Sequence, residues 1–330
     1  MSEYAKTFSV APMVDWTDRH CRYFHRILSR RAVLYTEMLA DRAVLKGDRA
    51  RLLDFSEEEH PLVVQLGGSD AAMMGEAAAI CAEWGYDAIN INVGCPSDRV
   101  LKGRFGAVLM KEPETVAACA RAMMEAAPDT PVTVKCRIGV DEMDSREHLV
   151  RFIDTVAAAG VRTFVIHARK ALLRGLSPKQ NRTIPPLDHE RVHRVKELFP
   201  QLEIIINGGL ATIDDCRAQL ARVDGVMVGR AAYQTPWLLA RVDEELFGAP
   251  PGVTSPLEAI ERFIPYVEKM LARGVPLNAM TKHTLGLFHG RPGARLYRRH
   301  LSENATRPGA GAEVLKQALE LVREQMRRRG

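Results

Sequence analysis

The 330 residues are 46% hydrophobic and 26% charged, enough apolar material for a large core and too much for a chain disordered throughout. No apolar run approaches the ~18 residues of a membrane span and the N-terminus lacks a signal-peptide core, so a cytoplasmic protein is expected. The net charge of +5 permits an anionic partner without requiring one, and six cysteines without a C-x-x-C pair argue against structural zinc and a disulfide framework.

In chain order, apolar runs fall at Phe8–Met13, Val33–Met38, Leu62–Leu66, Ala88–Val93, Val132–Ile138, Thr163–Ala168, Glu203–Asn207 and Gly225–Val228. Segments of helical pattern such as Asp70–Trp84 and Pro113–Ala127 separate most of them. This alternation predicts parallel strands with crossover helices. Eight units fit a closed (β/α)8 TIM barrel, which takes ~250 residues, better than a doubly wound open sheet. The Pro- and Gly-rich stretch Gly248–Pro256 reads as a linker. Beyond it, Ile260, Phe263, Ile264, Val267 and Leu271 recur at helical spacing, as do Val314, Leu315, Ala318, Leu319 and Val322. Two domains are therefore expected, a barrel over residues 1–247 and a helical bundle over 257–330.

Side chains alternate across a strand, and barrel active sites form at the C-terminal strand ends. There the predicted strands carry Gln65, then Asn90 and Asn92, then Thr133, Lys135 and Arg137, then His167 and Asn207. Each alone is compatible with ordinary hydrogen bonding, but together they converge on one rim. Lys135 is the sharpest signal, because an ammonium directed into a barrel calls for an anionic or electron-rich partner, or else for a neighbouring carboxylate. The seventh and eighth units end in Asn207-Gly208-Gly209 and Val228-Gly229-Arg230. Glycines admit a phosphate close to the backbone, barrel loops 7 and 8 are the usual phosphate site, and Arg230 can add a charged hydrogen bond. No G-x-G-x-x-G follows a strand and no P-loop occurs, which disfavours a resident dinucleotide on a Rossmann unit.

Cys21, Cys81, Cys119 and Cys216 sit among apolar neighbours at helical spacing, and Cys136 lies on the apolar face of its strand. Cys95 differs. It stands in Asn92-Val-Gly-Cys-Pro-Ser97, just past the fourth strand, in a segment running on through Gly103 and Gly106 that is expected to act as a lid. A free thiol is mainly protonated near neutrality and suits proton donation better than attack as thiolate.

These residues resemble the tRNA-dihydrouridine synthases, flavoenzymes that reduce the C5=C6 bond of uridine in tRNA. The markers are Ala11-Pro12-Met13, Thr17-Asp18, Tyr35-Thr-Glu37-Met38, Gln65-Leu-Gly-Gly68, Asn90 to Ser97, Lys135-Cys-Arg137-Ile-Gly139, His167-Ala-Arg169, Asn207-Gly-Gly209 and Gly229-Arg230. Asn181 to Leu187, Leu285 to Gly290 and Pro292-Gly-Ala-Arg295 are similar to the A-type branch, which modifies uridines 20 and 20a. The resemblance implies FMN across the barrel mouth. Its phosphate would lie on Asn207, Gly208, Gly209, Gly229 and Arg230 with help from His167. Ala11, Pro12 and Met13 would line the ring, Gln65 would bond to it, and Lys135 would face its N1/O2 side. Asn92 would help hold the uridine, hydride would pass from flavin N5 to C6, and Cys95 would protonate C5. NADPH is implied as a transient reductant, and the D-loop and elbow of tRNA as the partner, with no protein partner evident. On this reading the barrel is the FMN-binding domain and the helical domain binds tRNA. Lys179 and Arg182, three apart, and Arg295, Arg298 and Arg299, at helical spacing, form two basic clusters expected to clamp the RNA. Lys282 stands where the A-type branch usually carries Arg, which removes a bidentate phosphate fork. The rivals are an FMN oxidoreductase of a free pyrimidine, against which the helical domain speaks, and a non-enzymatic RNA-binding barrel.

Overall fold

The computed structural model describes residues 8–97, 100 and 102–328. Of the expected lid segment, residues 98, 99 and 101 lie outside the described residues. The eight expected strands form as β1 (Phe8–Val10), β2 (Leu34–Ala40), β3 (Leu62–Gly67), β4 (Ala88–Val93), β5 (Val132–Arg137), β6 (Thr163–His167), β7 (Glu203–Asn207) and β8 (Gly225–Val228). All pair in parallel in the order β1-β8-β7-β6-β5-β4-β3-β2. Val10 N–H donates to Val33 O at 2.9 Å and Val33 N–H to Phe8 O at 3.1 Å, joining the two ends of the sheet. The expected TIM barrel is thus the fold.

Crossover helices start where the sequence supplies a cap. Asp70 accepts from Met73 N–H ahead of the helix Ala71–Glu83, Ser145 from His148 N–H ahead of Arg146–Ala158, and Asp188 from Arg191 N–H ahead of His189–Leu198. Each cap satisfies one of the N–H groups that a helix start leaves unpaired. Pro113 opens Pro113–Ala126 at a position where no backbone donor is lost.

Inside the barrel, strand alternation sorts residues by height. Val63, Ala88, Val165, Ile205 and Met227 pack with Ala11, Val33 and Tyr35 into one apolar cluster. Two residues further along the same faces come Gln65, Asn90, His167, Asn207 and Gly229, so the interior is apolar within and polar toward the C-terminal strand ends.

The chain divides into two compact units, and their boundary departs from the one expected. The first holds residues 1–15, 33–210 and 214–229, and the second 16–32, 211–213 and 230–330. The second unit thus begins at Arg230, ahead of the expected linker, and takes in the helix Arg19–Leu28. Aromatic packing explains the recruitment of that helix. Tyr23 stacks on Tyr266 with centroids 3.9 Å apart, and Phe24 packs on Phe263 at 5.2 Å. The helix Pro256–Ala272 buries Ile260, Phe263, Tyr266, Val267 and Met270, and it packs against Ala312–Arg327, which buries Leu315, Ala318, Leu319 and Val322. Ile264, Leu271 and Val314, expected in the core, are half-buried instead, because Tyr266 and Met270 fill the apolar face.

Also in this unit, burial lowers the pKa of His25 from the usual 6.5 to about 3 and that of His20 to about 4. For both, the folded value lies below the unfolded one. Their contribution to stability is therefore complete above pH 6.5 and is lost as the pH falls toward the folded values. At pH 5 the His25 deficit is about 2 kcal/mol. In urea unfolding compared at pH 7 and pH 5, His25→Gln is expected to reduce the acid-induced loss by about that amount; an identical loss in the variant places the acid sensitivity elsewhere.

Candidate active site

The rim is built on inward-facing residues of six strands of the first unit. On β5, Lys135 Nζ donates to Asn207 Oδ1 of β7 at 3.0 Å, while Asn207 Nδ2 donates to Met227 O of β8 at 2.7 Å. No carboxylate pairs with Lys135 among the described residues, so the bland alternative of a salt bridge is not what the molecule uses. Burial, with the Arg137 guanidinium second, lowers the Lys135 pKa to about 8. His167, next in height on β6, is pushed well below the usual histidine range by burial first and then by Arg137, Lys135, Arg169 and Arg182. Four cations act on one neutral imidazole, a setting that favours an anion.

The loop after β7 fits the same partner. Gly208 and Gly209 take φ of +111° and +79°, and a Cβ on Gly208 would lie 2.6 Å from His167 Cδ2. Only glycine combines that backbone with so close an approach. His189 Nε2 lies 2.8 Å from Gly208 O and fixes the turn from the start of the helix that precedes β7. At Gly229 a Cβ would meet Ala11 Cβ at 3.7 Å and Met13 Sδ at 3.8 Å, so packing alone does not require glycine there. Ala11 is tied to β8 through its N–H, which donates to Val228 O at 2.9 Å. Pro12 and Met13 are half-buried beyond it. Arg230 directly follows Gly229 in the chain and begins the helix Arg230–Gln234, with an exposed side chain.

Gln65 and Asn92 are brought together. Asn92 Nδ2 donates to Gln65 Oε1 at 2.7 Å, and Asn92 Oδ1 accepts from Gly94 N–H at 3.1 Å and Cys95 N–H at 3.0 Å. Much of the hydrogen-bonding capacity expected to meet flavin and uridine is thus already engaged by the protein. Cys95 is the one cysteine of six that is not fully buried. Burial pushes the Cys81, Cys136 and Cys216 thiols up to about 12 and Cys119 to about 11, as expected of core thiols. Cys95 Sγ donates to Ser97 Oγ at 3.4 Å, and Cys95 O accepts from Ala107 N–H at 2.9 Å.

Arg137 has a larger part than its sequence position suggested. Its Nε donates to Gly94 O at 2.8 Å, and one terminal nitrogen donates to Lys170 O at 3.1 Å and Asn181 O at 3.0 Å. It therefore ties the Cys95 loop to the loop that carries Lys179 and Arg182. Its face on β5, shared with Lys135, and its place in the marker Lys135-Cys-Arg137-Ile-Gly139 were the signals available. Lys179 and Arg182 are exposed at the turn Gln180–Arg182, and Arg182 is close enough to act on both His167 and Arg137. In the second unit, Arg295, Arg298 and Arg299 are exposed on the helix Ala294–Asn304, opposite the buried Ala294, Tyr297 and Leu301. Arg299 reaches Glu303 at 3.6 Å, and Lys282 is held by Asp18 at 3.1 Å.

An eight-stranded parallel barrel with an anion-seeking cationic rim and a single accessible thiol matches one family over almost its whole length. The model of the dihydrouridine synthases matches residues 9–323, and the chain belongs to that family. It is 55% identical over 317 residues to a tRNA-dihydrouridine(20/20a) synthase of Shewanella oneidensis, covering 96% of this chain and 94% of the relative. A protein of the same description from Vibrio cholerae is 54% identical over 312 residues, covering 94% and 95%. An old yellow enzyme homologue from Zymomonas mobilis shares the fold at 11% identity and a TM-score of 0.53, over 73% of this chain and 89% of that one.

The turn after β7 yields a test. Gly208→Ala would be forced both to hold a positive φ and to push against His167, and is expected to lower stability in urea by more than 2 kcal/mol. Gly175→Ala also sits at positive φ, +81°, but with nothing within 4 Å, and is expected to cost about 1 kcal/mol. Equal effects would mean that the approach to His167 is not tight.

Proposed function

We propose that the protein reduces the C5=C6 bond of uridine in tRNA to dihydrouridine, at positions 20 and 20a of the D-loop, using FMN and NADPH in the cytoplasm. The observation that carries this reading is the joint placement of an anion-seeking cradle and a half-exposed Cys95 on one barrel rim. It is supported by the family and by relatives described as tRNA-dihydrouridine(20/20a) synthases.

The residues present fit a phosphate-bearing flavin. Lys135 is a half-buried ammonium with a neutral amide as its partner, and the positive-φ Gly208 lies against His167. Asn207, Gly208, Gly209, Gly229 and Arg230 would hold the phosphate together with His167, and Ala11, Pro12, Met13 and Gln65 would border the ring. When bound, FMN supplies the hydride equivalent that C6 of the uracil receives. The chain's own part is to set charge and protons. Lys135 places positive charge where an electron-rich group gains most, since burial strengthens its field. Cys95 donates the proton that C5 requires, so the ring gains one hydride and one proton and the C5=C6 double bond is consumed. Asn92 has one amide hydrogen left to offer the uridine beyond those engaged by the protein. Recognition of the RNA backbone falls to Lys179 and Arg182 in the first unit and to Arg295 and Arg298 in the second, all of them exposed.

Cys95→Ala is expected to retain FMN and to accept reducing equivalents from NADPH at the wild-type rate, while dihydrouridine formation falls about 10²–10⁴-fold. Separate stopped-flow traces for the two half-reactions check this; near wild-type turnover on tRNA removes Cys95 from the mechanism. Replacing Arg295 and Arg298 by Ala is expected to weaken tRNA binding and to reduce the slope of log K against log salt by about one per residue, with NADPH oxidation unchanged. A slope equal to wild type in the folded variant moves the RNA to another face.

A further inference from the structure

The hydrogen bonds that hold Asn92 do not end at Gln65. Gln65 Nε2 donates to Asn90 Oδ1 at 2.8 Å, and Asn90 Nδ2 donates to Thr133 Oγ1 at 2.9 Å. Thr133 Oγ1 in turn donates to Ile89 O at 3.4 Å. Starting at the other end, Asn92 Oδ1 accepts from two backbone N–H groups, those of Gly94 and Cys95. The chain crosses β5, β4 and β3 and returns to the end of β4, inside the barrel, and Gln65, Asn90 and Thr133 are 1%, 0% and 6% exposed.

The order of donors and acceptors in this chain is dictated from its Cys95 end. An N–H can be met only by an oxygen, so the carbonyl of Asn92 must face Gly94 and Cys95 and its NH₂ must face Gln65. Gln65 must then present its oxygen to Asn92 and its NH₂ to Asn90. Asn90 must present its oxygen to Gln65 and its NH₂ to Thr133. The hydroxyl of Thr133 is left with a proton to give to Ile89 O. Reversing any one amide sets two like groups against each other in a buried site, where an unsatisfied polar group is costly.

We infer that Thr133, Asn90 and Gln65 are positioning residues for Cys95: a fixed-polarity relay of side-chain amides, anchored at the hydroxyl of Thr133, holds Asn92 in the one orientation that pins the backbone of the thiol's loop. This rests on the reading of Cys95 as the proton donor to C5. It adds that the aim of the thiol is set from β5, by a residue without direct contact with the loop. The relay acts beside the tie from Arg137 to Gly94 O, so the loop is held both through its N–H groups and through a carbonyl.

The test uses the full-length protein with its cofactor and three substitutions at the far end of the relay. Thr133→Val and Thr133→Ala remove the hydroxyl, and Thr133→Ser restores it. Three readouts are taken: the rate of alkylation of Cys95 by iodoacetamide, followed by peptide mass, the rate of reduction by NADPH, and the rate of oxidation of the prereduced enzyme by saturating tRNA. Loss of one buried hydrogen bond shifts a local equilibrium by about fivefold. Alkylation of Cys95 is therefore expected to quicken by about that factor in Thr133→Val and Thr133→Ala, and oxidation by tRNA to slow about tenfold through misplacement of the donor. Reduction by NADPH should stay at wild type, and Thr133→Ser should return both altered rates toward wild type. An unchanged alkylation rate in a folded Val or Ala variant overturns the relay. Faster alkylation with unchanged oxidation by tRNA keeps the loop's dependence on Thr133 but overturns Cys95 as proton donor. If Thr133→Val does not fold, Thr133→Ala decides, since a smaller side chain adds no volume to the barrel.

Discussion

An ammonium set among barrel strands, half-buried and with an amide oxygen as its partner, has given up part of its hydration without gaining a counter-ion among the described residues. Lys135 imposes that constraint on the rim, and much of the surrounding architecture can be read as a response to it. Asn207 turns its oxygen toward the ammonium and its NH₂ toward β8. His167 stays neutral beside it. The glycines of the following turn let the backbone come close to His167 and Leu187. The stability withheld by keeping Lys135 without a counter-ion becomes available to any anion that enters, which is how a binding site differs from a structural ion pair.

Cations elsewhere in the molecule are handled differently. In the second unit Lys282 is held by Asp18, Lys316 by Glu268 at 2.9 Å, and Arg323 by Glu261 and Glu320. Asp18 also caps the helix Arg19–Leu28, accepting from His20 and Cys21 N–H, and meets His283 Nε2 at 2.9 Å. One carboxylate therefore fixes a helix start and neutralises Lys282; burial alone would raise its pKa, but the hydrogen bonds and charges of these partners outweigh it and hold the pKa far below the usual carboxylate range. Arg295, Arg298 and Lys179 have no such partner among the described residues, in common with other exposed cations such as Arg121 and Lys269.

The barrel was legible because period-two alternation fixes both the existence of a strand and the side its residues face. β4, β7 and β8 run as expected, and Gln65, Lys135, His167 and Asn207 lie on the inner face by parity alone. What escaped the sequence were contacts without any period. The recruitment of Arg19–Leu28 into the second unit depends on Tyr23 meeting Tyr266. The bond between Asp18 and His283 joins residues 265 positions apart. Asn92 was legible as a rim amide, but its turning back onto the Cys95 backbone depends on a loop geometry that no spacing encodes. Arg137 was visible as a neighbour of Lys135, yet the three carbonyls that it gathers come from separate segments.

Asn181 has a consequence for how this family can diversify. Its side chain accepts from Leu172 N–H at 2.8 Å and donates to Leu172 O at 2.9 Å, as a neighbouring strand would, while its own carbonyl is held by Arg137. The base of the loop is thereby closed by one residue. The stretch between, 174–180, is mostly exposed, and a Cβ on Gly175 would meet nothing within 4 Å. Insertions, deletions and charge changes can accumulate there without disturbing the rim. If Lys179 meets the RNA as proposed, the loop is a place where selectivity can change while the rim beneath it keeps its geometry.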